Sequence, residues 1–169
     1  MIYTDENISY QEAVKKLLEE RSTLVFSNGM YIHAQAIYAE FLNYAKSTFN
    51  LVCTCLSATV FDSKEIATAL RNAIDRGVKV NIITERQPEQ SATLEIIQSF
   101  LGTENSPSIY TSAQAEQEQK FPYNFCTIDS RAYRFEEDPD KINAIVCAND
   151  RDFASKLDSL FNGLIKGAE

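Results

Sequence analysis

The stretch NFCTIDSRAYRFE holds the densest group of side chains in this chain that could do chemistry. Its candidate residues are Asn124, Asp129, Arg131, Arg134 and Glu136. Side chains alternate between the two faces of a β-strand, so Arg134 and Glu136 share one face while Arg131 lies on the other. Arginine binds anions or carboxylates through charge-assisted hydrogen bonds. Two interpretations are open for this stretch: a solvated or salt-bridged strand face, or a contact for a ligand or partner.

The single histidine and the four cysteines do not form a pattern typical of a metal site. His33 has no H-x-x-E or E-x-x-H neighbour, and a lone histidine cannot hold a metal without carboxylates. Cys53, Cys55, Cys126 and Cys147 lie in apolar runs and form no C-x-x-C pair. We therefore expect reduced, buried thiols in a cytoplasmic protein, with no bound metal and no cofactor.

Charge restricts the classes of partner. The chain has 16 Lys and Arg against 24 Asp and Glu, a formal net charge of −8, and no run of five basic residues. Proteins that bind duplex DNA gain most of their affinity from cations placed on phosphates, so broad nucleic-acid binding is disfavoured. No apolar run approaches the roughly 20 residues of a membrane span, so none is predicted.

The elements that must position these residues follow from length and apolar spacing. A chain of 169 residues that is 44% hydrophobic has the size of one globular domain. Apolar residues at i, i+3, i+4, i+7 and i+8 predict the clearest helix over 63–75, ending before Gly77, with strands over 50–56 and 78–84. Further strands are predicted over 23–26, 123–128, 132–135 and 142–148, and a mostly polar segment over 103–120. Helix and strand alternate first and strands follow one another later, which predicts an α/β fold with a mixed parallel and antiparallel sheet flanked by helices.

The segment from Asn50 to Thr84 resembles the core of phospholipase D-like domains. Its most distinctive part is Arg76-Gly77-Val78 with Val80, where a helix is stopped by glycine and returns at once into a parallel strand. The resemblance extends over about residues 22–165. It implies a single phospholipase D-like α/β domain over 22–169, with residues 1–21 as an appended N-terminal helix.

The same resemblance implies that the catalytic residues are missing. Active members carry H-x-K-x4-D, in which the histidine attacks phosphorus and the lysine holds the phosphate oxygens. Aligning the acidic residue on Asp129 places Pro122 at the histidine position and Asn124 at the lysine position. Proline carries no nucleophile and asparagine carries no charge, so the covalent route has neither of its two main groups.

We therefore expect a catalytically inactive phospholipase D-like domain, not an enzyme, that acts as a binding, scaffold or regulatory module. Two alternatives stay open: a small phosphodiesterase or nuclease with an altered or partner-completed site, and a small-anion sensor that uses Arg131 or Arg134. Active single-motif relatives pair two copies across a dimer interface. The resemblance thus implies a homodimer, another protein partner, or both.

Overall fold

A computed structural model of the chain describes residues 2–112 and 121–168. The C-terminal part of the polar segment expected over 103–120, residues 113–120, therefore lies outside the described residues. The strands are β1 Val25–Asn28, β2 Thr48–Cys53, β3 Lys79–Thr84, β4 Ser108–Thr111, β5 Asn124–Ile128, β6 Ala132–Glu136 and β7 Ala144–Cys147. The helices are α1 Ile2–Glu19, α2 Tyr31–Tyr44, α3 Ala58–Phe61, α4 Lys64–Asp75, α5 Ala92–Phe100 and α6 Arg151–Ala168.

Seven strands of the described chain form one mixed sheet in the order β1-β7-β6-β5-β2-β3-β4. Strand β2 is parallel to β3 and antiparallel to β5, and β3 is parallel to β4. The remaining pairs are antiparallel, including β1 with β7. The mixed sheet and the adjacent, parallel β2 and β3 confirm the sequence prediction.

Helix α4 shows how the local sequence sets this arrangement. The Ser63 side chain caps its start by accepting a hydrogen bond from the Ile66 amide at 3.2 Å. Gly77 follows its end with φ at +87°, a conformation that glycine adopts without strain. The apolar face of α4, including Leu70 and Ile74, is buried in the core. The chain can therefore turn back directly into β3.

The helices lie on both faces of the sheet. Helices α1, α2 and α4 contribute buried side chains to the larger core, which includes Leu51 and Val80 of the strands. Helix α6 covers the other face and packs Leu157 and Phe161 against Val52 of β2. No helix among residues 2–112 and 121–168 combines the length and apolar character needed to cross a bilayer.

The antiparallel pairing of β5 with β2 defines two ends of the sheet. Phe125 pairs with Val52 near the end of β2, and Ile128 pairs with Phe49 near its start. We call the first end the strand-end side and the second, where β5 turns into β6, the hairpin side. Asp129 lies five positions after Asn124, which amounts to about 17 Å along an extended strand. Candidate residues at the two ends therefore cannot share one small site.

Candidate functional site

A cavity of about 310 Å³ opens on the strand-end side of the sheet. We call it the strand-end cavity. Its walls come from the start of α2, the loop after β2, the start of β5, the end of β6 and the loop before β7. Asn124, Arg134 and Glu136 all line it. Three of the five residues predicted from the sequence are thus brought together.

Arg134 is the central charged group of this cavity, although only 1% of its surface is exposed. Its Nη2 lies 2.8 Å from Glu136 Oε1 and 3.5 Å from the Ile142 carbonyl oxygen. Its Nε donates to Asn28 Oδ1 at 3.0 Å, and its Nη1 donates to the Tyr38 hydroxyl at 3.1 Å. The guanidinium also lies over the Tyr38 ring, 5.2 Å from its centroid. The side chain is therefore fixed in place and not free to follow a ligand.

The surroundings of Arg134 keep it charged. Burial acts to lower its pKa, but Tyr38 and Glu136 outweigh this effect and the pKa is raised above its ordinary value. Burial also raises the pKa of Tyr38, so its hydroxyl stays neutral and can accept the arginine hydrogen bond. Arg134 and Glu136 therefore form a fixed ion pair in the cavity wall. This agrees with the salt-bridged strand face that was one of the two interpretations of the sequence, and the pair is buried.

Asn124 joins this pair to the end of β2. Its Nδ2 donates to Glu136 Oε2 at 2.9 Å. Its Oδ1 accepts from the Thr54 amide at 2.9 Å and from Thr54 Oγ1 at 3.2 Å. The residue aligned with the family's lysine is thus a neutral amide whose donor and acceptor are both engaged in hydrogen bonds within the chain. Pro122, aligned with the histidine, is exposed and does not line the cavity.

The thiols of the cavity are poor nucleophiles. Cys53 is buried at the end of β2, and burial raises its pKa strongly. Cys55 is partly exposed, and burial together with the Glu89 carboxylate raises its pKa, while Arg86 acts in the opposite direction. Because both pKa values are raised, the two thiols are mainly protonated near neutral pH, and since the thiolate is the reactive form they react slowly.

The mouth of the cavity holds two cations, of which one is unpaired. Lys141 Nζ lies 3.3 Å from Asp138 Oδ2. Arg86 is exposed and makes no side-chain hydrogen bond or ion pair within the described part of the chain. A second cavity of about 260 Å³ adjoins the first at Arg86 and extends to Glu85, whose carboxylate accepts the Phe121 amide at 2.8 Å. Arg86 therefore stands between two connected spaces with its donors available.

Asp129 and Arg131 lie on the hairpin side instead. The Asp129 carboxylate accepts hydrogen bonds from the backbone amides of Lys46, Ser47 and Thr48 at 3.0, 2.7 and 3.0 Å. It thereby fastens the β5–β6 hairpin to the start of β2. Arg131 donates to Asn149 at 3.5 Å. The structure does not bring these two residues to the strand-end cavity.

His33 is also absent from the cavity lining. Its ring stacks on Tyr10, with centroids 3.8 Å apart and planes 10° apart. Among the residues that the structure describes, no three His, Cys, Asp or Glu side chains are grouped so as to hold a metal ion.

Sequence reasoning missed Arg86, Tyr38 and Asn28. Arg86 follows the carboxyl end of β3, the end of a parallel strand where ligands commonly bind, and that rule could have found it. Tyr38 lies on the apolar stripe of α2 and Asn28 in a turn signal before it. Neither has a local pattern that indicates a contact with Arg134.

Comparison with known proteins supports the fold. No protein-family model matches the chain, and no curated protein is significantly similar to it. The solved structure of Nuc, a phospholipase D family member from Salmonella typhimurium, is similar with a TM-score of 0.59 and 17% identity, covering 86% of this chain and 95% of Nuc. The structure of NucT from Helicobacter pylori is similar with a TM-score of 0.58 and 12% identity, covering 85% of this chain and 98% of NucT.

The archaeal chromatin protein TrmBL2, whose structure shows a mode of DNA binding, gives a TM-score of 0.60 and 16% identity. It covers 99% of this chain, which spans 64% of the TrmBL2 chain. At such identities the similarity concerns the fold alone. This chain has a phospholipase D-like α/β fold, as its sequence predicts.

Proposed function

We propose that this chain is a binding domain on a phospholipase D-like fold that does not carry out the covalent hydrolysis of that family. The proposal is supported by Pro122 and Asn124 at the positions that align with the nucleophile and the phosphate-binding lysine. It is also supported by the engagement of Asn124, Arg134 and Glu136 with one another. Because these three side chains bind one another, they form part of the cavity wall, and none of them is a nucleophile activated by a free base.

The ligand that this cavity fits best is a small molecule with one anionic group. The observation that carries this assignment is Arg86, an exposed guanidinium without a partner in the described chain, beside a preformed cavity of about 310 Å³. Ligand pockets commonly begin at roughly 300 Å³. Arg86 would bind the anionic group, and the Ser57 and Thr54 hydroxyls would contact polar groups deeper inside.

We further propose that the partner is a second copy of the chain. Strand β1 is an edge of the sheet, and Val25 on it is 52% exposed. Met30 and Tyr31, which follow it, are 50% and 54% exposed, and Tyr31 lines the cavity. A copy bound at this edge would adjoin the mouth of the cavity, which links ligand binding to assembly. Light scattering tests it: a 19.1 kDa monomer at high micromolar concentration contradicts it.

Thermal denaturation with nucleoside monophosphates, sugar phosphates and monocarboxylates tests the binding function. At least one of these probes should stabilise the protein, because a ligand that binds only the folded state raises the melting temperature. Arg86→Gln should lower the affinity for that probe about tenfold or more, as expected for the loss of a charge-assisted hydrogen bond. Arg71→Gln, an exposed arginine on α4, is the matched control and should bind normally. Stabilisation by none of the probes, or equal binding by the Arg86 variant, contradicts the proposal.

A further inference from the structure

The hairpin side of the sheet carries a second, smaller cavity that is lined by three cations. Its volume is about 140 Å³. Arg21 reaches it from the turn after α1, Lys46 from the residues before β2, and Arg131 from the β5–β6 hairpin. The other lining residues are Tyr44, Ser47 and Asp129. We call it the hairpin-side cavity.

The three cations of this lining outnumber its carboxylate. None of them forms a side-chain ion pair with any residue in the ranges that the structure describes. The one carboxylate that the described residues place in the lining, Asp129, accepts hydrogen bonds from three backbone amides. With three cations and one carboxylate, the lining has a formal charge of +2 in a chain whose net charge is −8.

Two further cations extend the positive region. Arg76 Nη2 donates to the carbonyls of Leu42 and Ala45 at 2.7 and 2.9 Å, which places its guanidinium at the end of α2 beside Lys46. The Lys79 amide donates to the Ser47 carbonyl at 2.9 Å, so β3 begins next to the same loop. Arg76 and Lys79 therefore lie at the same end of the sheet as the three cations of the cavity lining.

We propose that the hairpin-side cavity binds the phosphate group of a soluble small molecule. At about 30 Å³ per water the cavity holds roughly five waters, which suits a tetrahedral anion and excludes a whole nucleotide. The formal charge of +2 in the lining matches the double negative charge of a phosphate, and the forked donors of Arg21 and Arg131 match its oxygens. The rest of the ligand would lie outside, over the exposed side chains of Arg21 and Lys46.

The site is independent of the proposed function, because it lies at the opposite end of β5 from the strand-end cavity. Its phosphate would contact Arg131, which points away from the face that holds Arg134. The two arginines that the sequence placed in one candidate site are therefore assigned to different spaces.

Calorimetric titration with inorganic pyrophosphate, at constant ionic strength set with chloride, tests this site. Saturable binding is expected, and Arg131→Gln should weaken it about tenfold or more. Lys46→Gln should weaken it as well, and this second variant keeps the test valid if the first does not fold. Lys64→Gln is the matched control: it removes an exposed lysine at the far end of α4, roughly 18 Å along the helix from Arg76, and should bind normally.

Several results would overturn the assignment. One is the absence of saturable binding, and another is an equal loss of affinity in the Lys64 variant, which would indicate a general charge effect. Loss of pyrophosphate binding in Arg86→Gln with retention in Arg131→Gln would move the phosphate to the strand-end cavity. Binding to phosphatidic acid vesicles but not to pyrophosphate would identify a lipid surface instead.

Discussion

Arg134 and Glu136 form an ion pair on one face of β6, with 2.8 Å between Nη2 and Oε1 and side-chain exposures of 1% and 11%. Removing one member of a buried pair leaves the other charge uncompensated. We therefore expect Glu136→Gln to lower the free energy of unfolding by about 3–5 kcal/mol. Urea denaturation measures this change. A loss below about 1 kcal/mol, typical of an exposed pair, would contradict the burial described above.

A double variant separates the pair from its surroundings. The double variant Arg134→Met with Glu136→Gln should lose less free energy of unfolding than the sum of the losses in the two single variants. The reason is that no uncompensated buried charge remains when both members of the pair are replaced. Additive losses would show that Arg134 is stabilised mainly by Asn28 and Tyr38.

Asp129 should contribute to stability and not to binding in the strand-end cavity. Its φ is +53°, a conformation that asparagine also tolerates. Asp129→Asn should lower the free energy of unfolding by about 1–3 kcal/mol, since the charged acceptor of three amides is lost. Asp129→Ala should lower it further, because alanine is strained at this positive φ. Chemical denaturation gives both values. Unchanged stability in both variants would falsify the fastening role.

The α4 core supplies a test of the architecture. Leu70 is buried against the sheet, so Leu70→Ala should cost about 2–5 kcal/mol through lost transfer energy and the cavity left behind. Its neighbour Arg71 is exposed, and Arg71→Ala should change stability by less than about 0.5 kcal/mol. Similar losses in both variants would mean that α4 is not docked by its apolar face.

Hydrolysis of bis-p-nitrophenyl phosphate in the presence of EDTA should be undetectable. Pro122 cannot attack phosphorus, and His33, the only histidine of the chain, stacks on Tyr10 outside the cavity. His33→Ala should leave any trace turnover unchanged. Turnover that persists in EDTA and disappears in this variant would establish an enzyme and end the binding-domain proposal.

Alkylation of Cys55 should report the charges at the cavity mouth. Its pKa is raised, so its reaction with iodoacetamide should be slow at neutral pH and accelerate as the pH rises through the thiol pKa. Glu89→Gln removes a neighbour that raises this pKa and should accelerate the reaction at fixed pH. Arg86→Gln removes one that lowers it and should slow the reaction. Mass spectrometry of the modified peptide measures the alkylation rate of both variants. A slower reaction in Glu89→Gln or a faster one in Arg86→Gln would contradict the described positions of these side chains.

The sequence predicts the fold and part of the site for physical reasons that are local. The apolar face of α4, the stop at Gly77 and the following β3 are encoded within neighbouring residues. Strand alternation likewise places Arg134 and Glu136 on one face. The burial of Arg134 could not be predicted, because it depends on Asn28, 106 residues away in the chain.

Other expectations depend on contacts that no local pattern records. The grouping of Asp129 and Arg131 with Asn124 assumed one cleft, whereas the length of β5 separates them. The division at residue 21, the cytoplasmic location and the homodimer stay predictions.

The pairing of β1 with β7 has a consequence for the order of folding. The strand nearest the start of the chain joins the sheet only beside its last strand, so a large share of the native contacts is non-local, and such topologies fold slowly. While β1 is undocked, the Arg134 guanidinium lacks its Asn28 acceptor, whereas its contacts with Tyr38 and Glu136 do not depend on β1. Release of β1 would thus open one side of the surroundings of Arg134, and we expect the β1 amides to exchange hydrogen before those of the parallel strands β2 and β3.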